Sequence, residues 1–188
     1  MYLSKISTIP DTSAHRLVMA GFPSLDSSTP RADLGILYRV EPGDSLLVQS
    51  AIAPNWGRVL PSSSWQTRKY DPDIRHDSYR FRMTINPVAV RDRRRVPIPP
   101  DEWLSRRDFG ADFTIYRSQL HRITEQSSTG HRVVICAYAL EGVLSVYDPP
   151  RLATAVQAGM GKARAYGCGL LTVVPTHSAP KTAETSAQ

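Results

Sequence analysis

Residues 148–175 read DPPRLATAVQAGMGKARAYGCGLLTVVP, and the order of the elements they encode decides the fold. Asp148 can cap a helix whose first turn holds Pro149 and Pro150, and that helix runs to Ala158. Four glycines follow, Gly159, Gly161, Gly167 and Gly169, framing Lys162, Arg164 and Tyr166. An apolar strand, Leu170 to Val174, comes next. A dinucleotide-binding fingerprint runs strand, glycine loop, helix; here the helix comes first and the strand last, which excludes that reading. Glycine lets a backbone adopt positive φ and lets another backbone approach closely. Successive N–H groups in such a loop can turn toward one anion, and Lys162 and Arg164 add charge beside them. The loop suits a phosphate-rich polymer.

Working outward, the same helix-then-strand ending completes a longer pattern. Val96–Ile98 reads as a short strand and Pro100–Arg107 as a helix opened by Pro-Pro-Asp. Phe113–Ile123 and Arg132–Val146 read as strands joined by the polar tip 124–130. The first half carries a similar series. Residues 1–9 alternate as a strand, Pro10 stops it, and Asp11, Thr12 or Ser13 can cap a helix through His15, Arg16, Leu17, Val18 and Met19. Gly21, Phe22 and Pro23 end that helix, and the polar loop 24–33 follows. Leu34–Val40 and Ser45–Ile52 read as strands around the turn Glu41-Pro42-Gly43-Asp44. Residues 54–78 read as irregular, anchored by Trp56 and Trp65. Tyr79–Asn86 alternates perfectly, with Tyr79, Phe81, Met83 and Ile85 on one face. The expectation is an α+β chain of two βαββαβ units, the first with a degraded second helix. The division expected is a first unit over 1–88, an arginine-rich linker over 89–95 and a second unit over 96–176. The tail, 177–188, has nothing to bury and is expected to be disordered.

Composition narrows the partner. The 188 residues carry a net charge of +6, and 41% are hydrophobic, enough for a packed core. Of the 23 cationic residues 19 are arginine; the planar guanidinium grips phosphate bidentately and stacks on bases. A high-GC genome would give the same bias without any function. Arg91, Arg93, Arg94 and Arg95 crowd five positions, the footprint either of a solvated linker or of phosphate contact. Cys136 and Cys168 sit far apart in apolar runs, which fits neither a metal knuckle nor a disulfide framework and matches a reducing cytoplasm. No run is apolar for long enough to cross a bilayer, so no membrane partner is expected. No His, Cys, Asp or Glu pair has metal-ligand spacing, so no metal is expected.

His15 is the candidate for proton transfer, beside Arg16 and ahead of an apolar run. Metal-free RNA cleavage needs a base to take a proton from a 2′-hydroxyl and an acid to protonate the leaving 5′-oxygen. An imidazole serves either task near neutrality, and Arg16 or Lys162 would stabilise the crowded phosphorane. On pattern alone the same histidine also fits a purely structural place. His76 lies in a charged loop and His177 in the tail. His121 and His131, with Arg117, Arg122 and Arg132, flank the hairpin tip; they form either a basic ribbon of the kind that enters a nucleic-acid groove or an ordinary exposed hairpin.

With these residues in hand, the chain resembles the CasE family, the repeat-processing endoribonucleases of subtype I-E CRISPR systems and subunits of the Cascade complex. The resemblance covers about residues 1–175. It rests on MYLSKI, AHR followed by GFP, LYRVEPG, LLVQSAIAPNW, YRFRMTINPV, ALEGVLSVYDP and GMGKARAYGCGLLTVVP, in that order and spacing. It implies tandem ferredoxin-like (RRM-like) domains and metal-independent cleavage on the 3′ side of the repeat hairpin in precursor RNA. The products would carry a 2′,3′-cyclic phosphate, or its opened form, and a 5′-hydroxyl. It implies no cofactor, CRISPR repeat RNA and mature crRNA as partners together with other Cascade subunits, and a cytoplasmic location. The family's catalytic histidine falls on His15 and the following arginine on Arg16. Its glycine-rich loop falls on Gly159 through Gly169, with Lys162 at the basic position, and its groove-inserting hairpin on the segment around 117–132. The expected RNA-binding set is therefore Arg16, Arg91, Arg93, Arg94, Arg95, Arg117, Arg122, Gly159, Gly161, Lys162 and Arg164.

One departure stands out. The family commonly has a tyrosine three residues before the histidine, where this chain has Thr12. That keeps open a second reading, a catalytically silent RNA-binding subunit of the same fold. A third, from another class, is a small ferredoxin-like protein that binds an anionic metabolite; the arginine cluster and the lack of any organised small-molecule motif stand against it.

Overall fold

A computed structural model of the chain describes residues 1–7, 13–126 and 132–176. The first unit comprises β1 (Tyr2–Ile6), α1 (Ala14–Ala20), the short α2 (Pro30–Asp33), β2 (Leu37–Glu41), β3 (Ser45–Ser50) and β4 (Trp65–Lys69). Its strands lie in the order β2-β3-β1-β4, all neighbours antiparallel. Between β3 and β4, where a second helix would lie, Pro54, Gly57 and Pro61 interrupt any helical run. Two single 3-10 turns, Trp56–Arg58 and Ser62–Ser64, stand there instead. Trp56 is fully buried and fills the space, edge-on to Phe22. Around it pack Ile6, Leu17, Val18, Ile36, Tyr38, Leu46 and Val48.

The second unit runs β5 (Ser78–Ile85), β6 (Val88–Arg91), β7 (Arg94–Pro97), α3 (Pro100–Ser105), β8 (Ala111–Gln126), β9 (Arg132–Val146), α4 (Pro149–Ala158) and β10 (Thr172–Pro175). The main sheet has the order β10-β5-β9-β8, again antiparallel. Counting strands within each four-stranded sheet, both have the order 4-1-3-2. Two ferredoxin-like units in tandem result, as the repeated pattern predicts. The core of the second is built from the alternating face of β5 (Tyr79, Phe81, Met83, Ile85) with Trp103, Leu140, Leu144, Leu152 and Val156.

Three details correct the sequence-based division. The strand at 78–85 opens the second unit rather than closing the first, because it pairs with β9 and β10. The first sheet is closed instead by β4 on β1, which moves the division upstream of residue 88, into 70–77. The sequence of β4, WQTRK, hides it: an edge strand with one partner needs no clean apolar alternation. The expected linker 89–95 belongs to a two-stranded hairpin, β6–β7, with Asp92 and Arg93 at φ 49° and 62° in its turn. Both central residues at positive φ suit a tight two-residue hairpin turn. Finally, α2 forms inside the expected polar loop, with Pro30 at its first turn and Thr29 Oγ1 donating to Asp33. Thr12, His131 and the tail from His177 lie outside the described residues.

Candidate active site

The site grows from α1 and the glycine loop, one from each unit. Ser13 caps α1, its Oγ accepting from the Arg16 N–H at 3.3 Å. His15 therefore sits in the first turn, half-buried, while Arg16 is exposed. Leu17 and Val18 anchor the helix in the core. The imidazole lies against Tyr38 of β2, ring centroids 6.5 Å apart and tilted by 35°. Tyr38 is 1% exposed and crosses from the first core to the loop of the second unit, its hydroxyl donating to the Ala165 carbonyl at 2.6 Å.

The loop has the conformation its glycines permit. Gly159, Gly161, Gly167 and Gly169 all have φ between 76° and 91°. At Gly159 a side chain would also strike Leu37. Ala163 joins them at φ 60°, an uncommon conformation for a residue with a β-carbon. Arg164 folds back to hold the loop from inside, its Nε donating to Gly161 O and its Nη2 to Gly159 O, each at 3.0 Å. Gly169 closes the base: it accepts from Met160 N at 2.8 Å and donates to Thr84 O of β5 at 2.7 Å. Lys162 is exposed at the rim. The single 3-10 turn Arg164–Tyr166 lies against both α1 and β2.

Beside this junction opens a cleft of about 560 Å³ between the units. Ala14, Tyr38, Tyr166 and Gly167 line it, as do Arg117, Gln119, His121 and Arg122 of β8, while His15 itself is not a lining residue. Glu41, Arg82 and Glu141 also line it and form an ion ladder. Arg82 Nη1 lies 2.8 Å from Glu41 Oε2, and its Nε donates to Glu141 Oε1 at 2.9 Å. That hydrogen bond raises the Arg82 pKa and holds the Glu141 carboxyl below the usual carboxylate range. Arg39, 4% exposed, continues the ladder inward on Glu41 at 2.8 Å. Desolvation lowers its pKa despite that partner.

Apart from Arg16, exposed on α1 beside His15, the expected site residues fall into three groups. His15, Gly159, Gly161, Lys162 and Arg164 gather around Tyr38 or in the loop that Tyr38 touches. Arg117 and Arg122 line the cleft wall. Arg91, Arg93, Arg94 and Arg95 stand exposed on the β6–β7 hairpin; none lines the cleft, and Arg91 approaches Glu102 of α3 at 3.8 Å. Sequence reasoning missed Tyr38, Arg39 and the ladder; the signal was a charged residue inside the otherwise apolar strand LYRV. Among the described residues, no three His, Cys, Asp or Glu side chains converge as metal ligands, and no helix is long and apolar enough to cross a membrane.

Comparison with known proteins gives one answer. The family profile described as CRISPR associated protein matches residues 1–175. The CRISPR system Cascade subunit CasE of Escherichia coli K12 is 29% identical, over 93% of this chain and 100% of its own. The CRISPR-associated endoribonuclease Cse3 of Thermus thermophilus is 27% identical, over 74% of this chain and 80% of its own. A solved structure of CRISPR endoribonuclease Cse3 bound to a 19-nucleotide RNA superposes with a TM-score of 0.70 at 25% identity, covering 93% of this chain and 100% of that one. With the family profile matching residues 1–175 and the curated relatives in agreement, the chain belongs to the CRISPR associated protein family, in its CasE branch.

Proposed function

We propose that this protein is a metal-independent endoribonuclease that binds the hairpin of CRISPR repeats in precursor RNA, cleaves 3′ of the stem, and stays on the mature crRNA as a Cascade subunit. The observation that carries the reading is the junction of His15, Tyr38 and the glycine loop. There the imidazole lies beside Tyr38, whose hydroxyl is bonded into the loop of positive-φ glycines that bears Lys162. Such a loop suits an anionic oxygen, and the imidazole suits proton transfer at neutral pH. Relatives named as an endoribonuclease and as a Cascade subunit support the same reading.

In this mechanism the scissile phosphate sits against the loop, with Lys162 over its oxygens. The 2′-oxygen of the preceding nucleotide loses its proton and bonds to phosphorus, and the bond from phosphorus to the 5′-oxygen breaks. The 5′-oxygen leaves with a proton, giving a 2′,3′-cyclic phosphate and a 5′-hydroxyl. His15 gives or takes one of these protons, and Lys162 and Arg16 offset the charge that builds on the phosphorane. Holding the linkage in line for attack supplies much of the acceleration. The arginines of the β6–β7 hairpin and of β8 bind stem phosphates, and a product that keeps its stem keeps those contacts. Recognition rests on shape and backbone, because the deep major groove of an A-form stem is hard to read.

The test is a repeat-hairpin RNA incubated in EDTA with wild type and with His15→Ala. Cleavage by wild type alone supports the reading. Tight binding with no cleavage by wild type would make the chain a silent RNA-binding subunit, and no binding would remove the RNA reading altogether.

A further inference from the structure

We infer that Tyr38, Arg39 and Gln49 are positioning residues, a three-point clamp by which the first unit shapes the glycine loop of the second against His15. This rests on the reading of His15 as the cleaving group. The three side chains come from paired strands, β2 and β3, and each reaches a backbone carbonyl of the partner unit. Gln49 holds the entry: its Nε2 donates to Val156 O at 3.0 Å and to Gln157 O at 3.2 Å, at the end of α4. Tyr38 holds the middle, through Ala165 O. Arg39 holds the exit, donating to Leu170 O at 3.2 Å and to Thr172 Oγ1 at 3.1 Å, and also to Arg82 O at 2.7 Å.

Neighbouring strand residues point to opposite faces of a sheet, and β2 uses both. Tyr38 lies on the helix-covered face, within the first core and beside His15. Leu37 and Arg39 lie on the other, with Leu37 directly opposite Gln49 in register and pressed against Gly159. All four are buried, Gln49 to 1% exposure. A buried polar side chain that reaches a carbonyl by a charged or amide donor is costly to remove and precise in aim. The loop therefore does not hold its own shape alone. Ala165 inside the loop and Leu170 at its exit are held by groups anchored in the unit that carries the histidine, and a displacement of about 1 Å at a reacting centre is enough to slow chemistry by two orders of magnitude.

The experiment compares Tyr38→Phe, Gln49→Met and Arg39→Lys with wild type on a repeat-hairpin RNA. Cleavage is measured in single turnover at saturating protein, and RNA affinity and amide hydrogen exchange over residues 160–169 are followed separately. Tyr38→Phe keeps the ring and removes one hydroxyl, so it folds even if the others do not. The expected result is a cleavage rate lower by roughly tenfold, the worth of one hydrogen bond to a buried carbonyl, with RNA affinity within about twofold because exposed arginine contacts set it. Exchange over the loop rises. Tyr147→Phe, which removes an exposed hydroxyl bonded to Asp108 at 2.9 Å, leaves all three unchanged. A Tyr38→Phe protein that cleaves at the wild-type rate with unaltered loop exchange overturns the clamp. If wild type itself does not cleave, the enzymatic reading has failed. Loop exchange then still decides the clamp: raised in Tyr38→Phe, the first unit shapes the loop; unchanged, it does not.

Discussion

Gly161 lies flat against the indole of Trp103: a β-carbon on it would sit 2.8 Å from the ring. Its φ is 79°, a region that side chains disfavour. The loop is thus packed from behind by α3 as well as held from the front by β2. Gly161→Ala is expected to cost about 2 kcal/mol, from the left-handed backbone together with the clash. For a chain of this size that lowers Tm by roughly 5 °C, read by thermal unfolding. An unchanged Tm would mean that the loop is not seated on Trp103.

The β6–β7 hairpin presents its four arginines to solvent, and among the described residues only Arg91 forms an ion pair, with Glu102. Replacing Arg93, Arg94 and Arg95 with Gln is expected to weaken RNA binding and to flatten its salt dependence. Every phosphate left without its cation takes about 0.7–0.9 off the slope of log K against log salt. Cleavage at saturating protein stays at the wild-type rate, because the site residues are untouched. An unaltered slope in a salt titration would return the hairpin to a solvated turn.

Glu141 supplies a pH dependence with a definite sign. Its hydrogen bond to Arg82, followed by the charges of Arg82, Arg117 and Arg39, holds its pKa below the ordinary value. A carboxyl depressed on folding adds stability that is present above the unfolded pKa and lost as pH falls through the folded one. Glu141 is 37% exposed, so the contribution stays under about 1 kcal/mol. Urea unfolding should find Glu141→Gln less stable than wild type near neutrality, with the gap closing in acid. A gap that widens in acid would contradict the ladder.

The two cysteines differ in environment. Burial pushes the Cys168 thiol up to about 12, whereas Cys136 is exposed on β9. The thiolate is the reactive form, so a thiol reagent should label Cys136 rapidly in the folded protein and Cys168 only after unfolding. Equal labelling rates would show that the loop base around Cys168 opens readily.

How much of this was legible in the sequence varies with the source of the constraint. The strand 132–146 and the helix start at Asp148 match their sequence reading, because alternation and an N-cap are local signals. All four loop glycines have the positive φ their spacing suggests, for the same reason. Strand β4 was invisible, since WQTRK buries little and is defined by its pairing with β1. The alternation of 78–85 was plain, but alternation says that a strand is half-buried, not which sheet receives it; that membership was misread. The clamp was hidden for a deeper reason. Gln49 and Arg39 look like ordinary polar interruptions of apolar strands, and their meaning comes from carbonyls 107 to 131 residues away. Arg164, read as a phosphate ligand, has its guanidinium turned to two loop carbonyls, a local fold-back that spacing does not disclose.

Attack by a 2′-hydroxyl with the help of His15 stands or falls on a single deoxy substitution. The scissile linkage is first mapped with wild type on a repeat-hairpin RNA in EDTA. The same RNA is then made with a 2′-deoxy sugar at the nucleotide before that linkage, and both are followed in single turnover with wild type and His15→Ala. The expected outcome is cleavage of the all-ribose RNA by wild type to a 2′,3′-cyclic phosphate, a loss of at least about a hundredfold with His15→Ala, and no cleavage of the deoxy substrate although it binds equally well. Cleavage of the deoxy substrate, or a His15→Ala protein as fast as wild type, would contradict the mechanism.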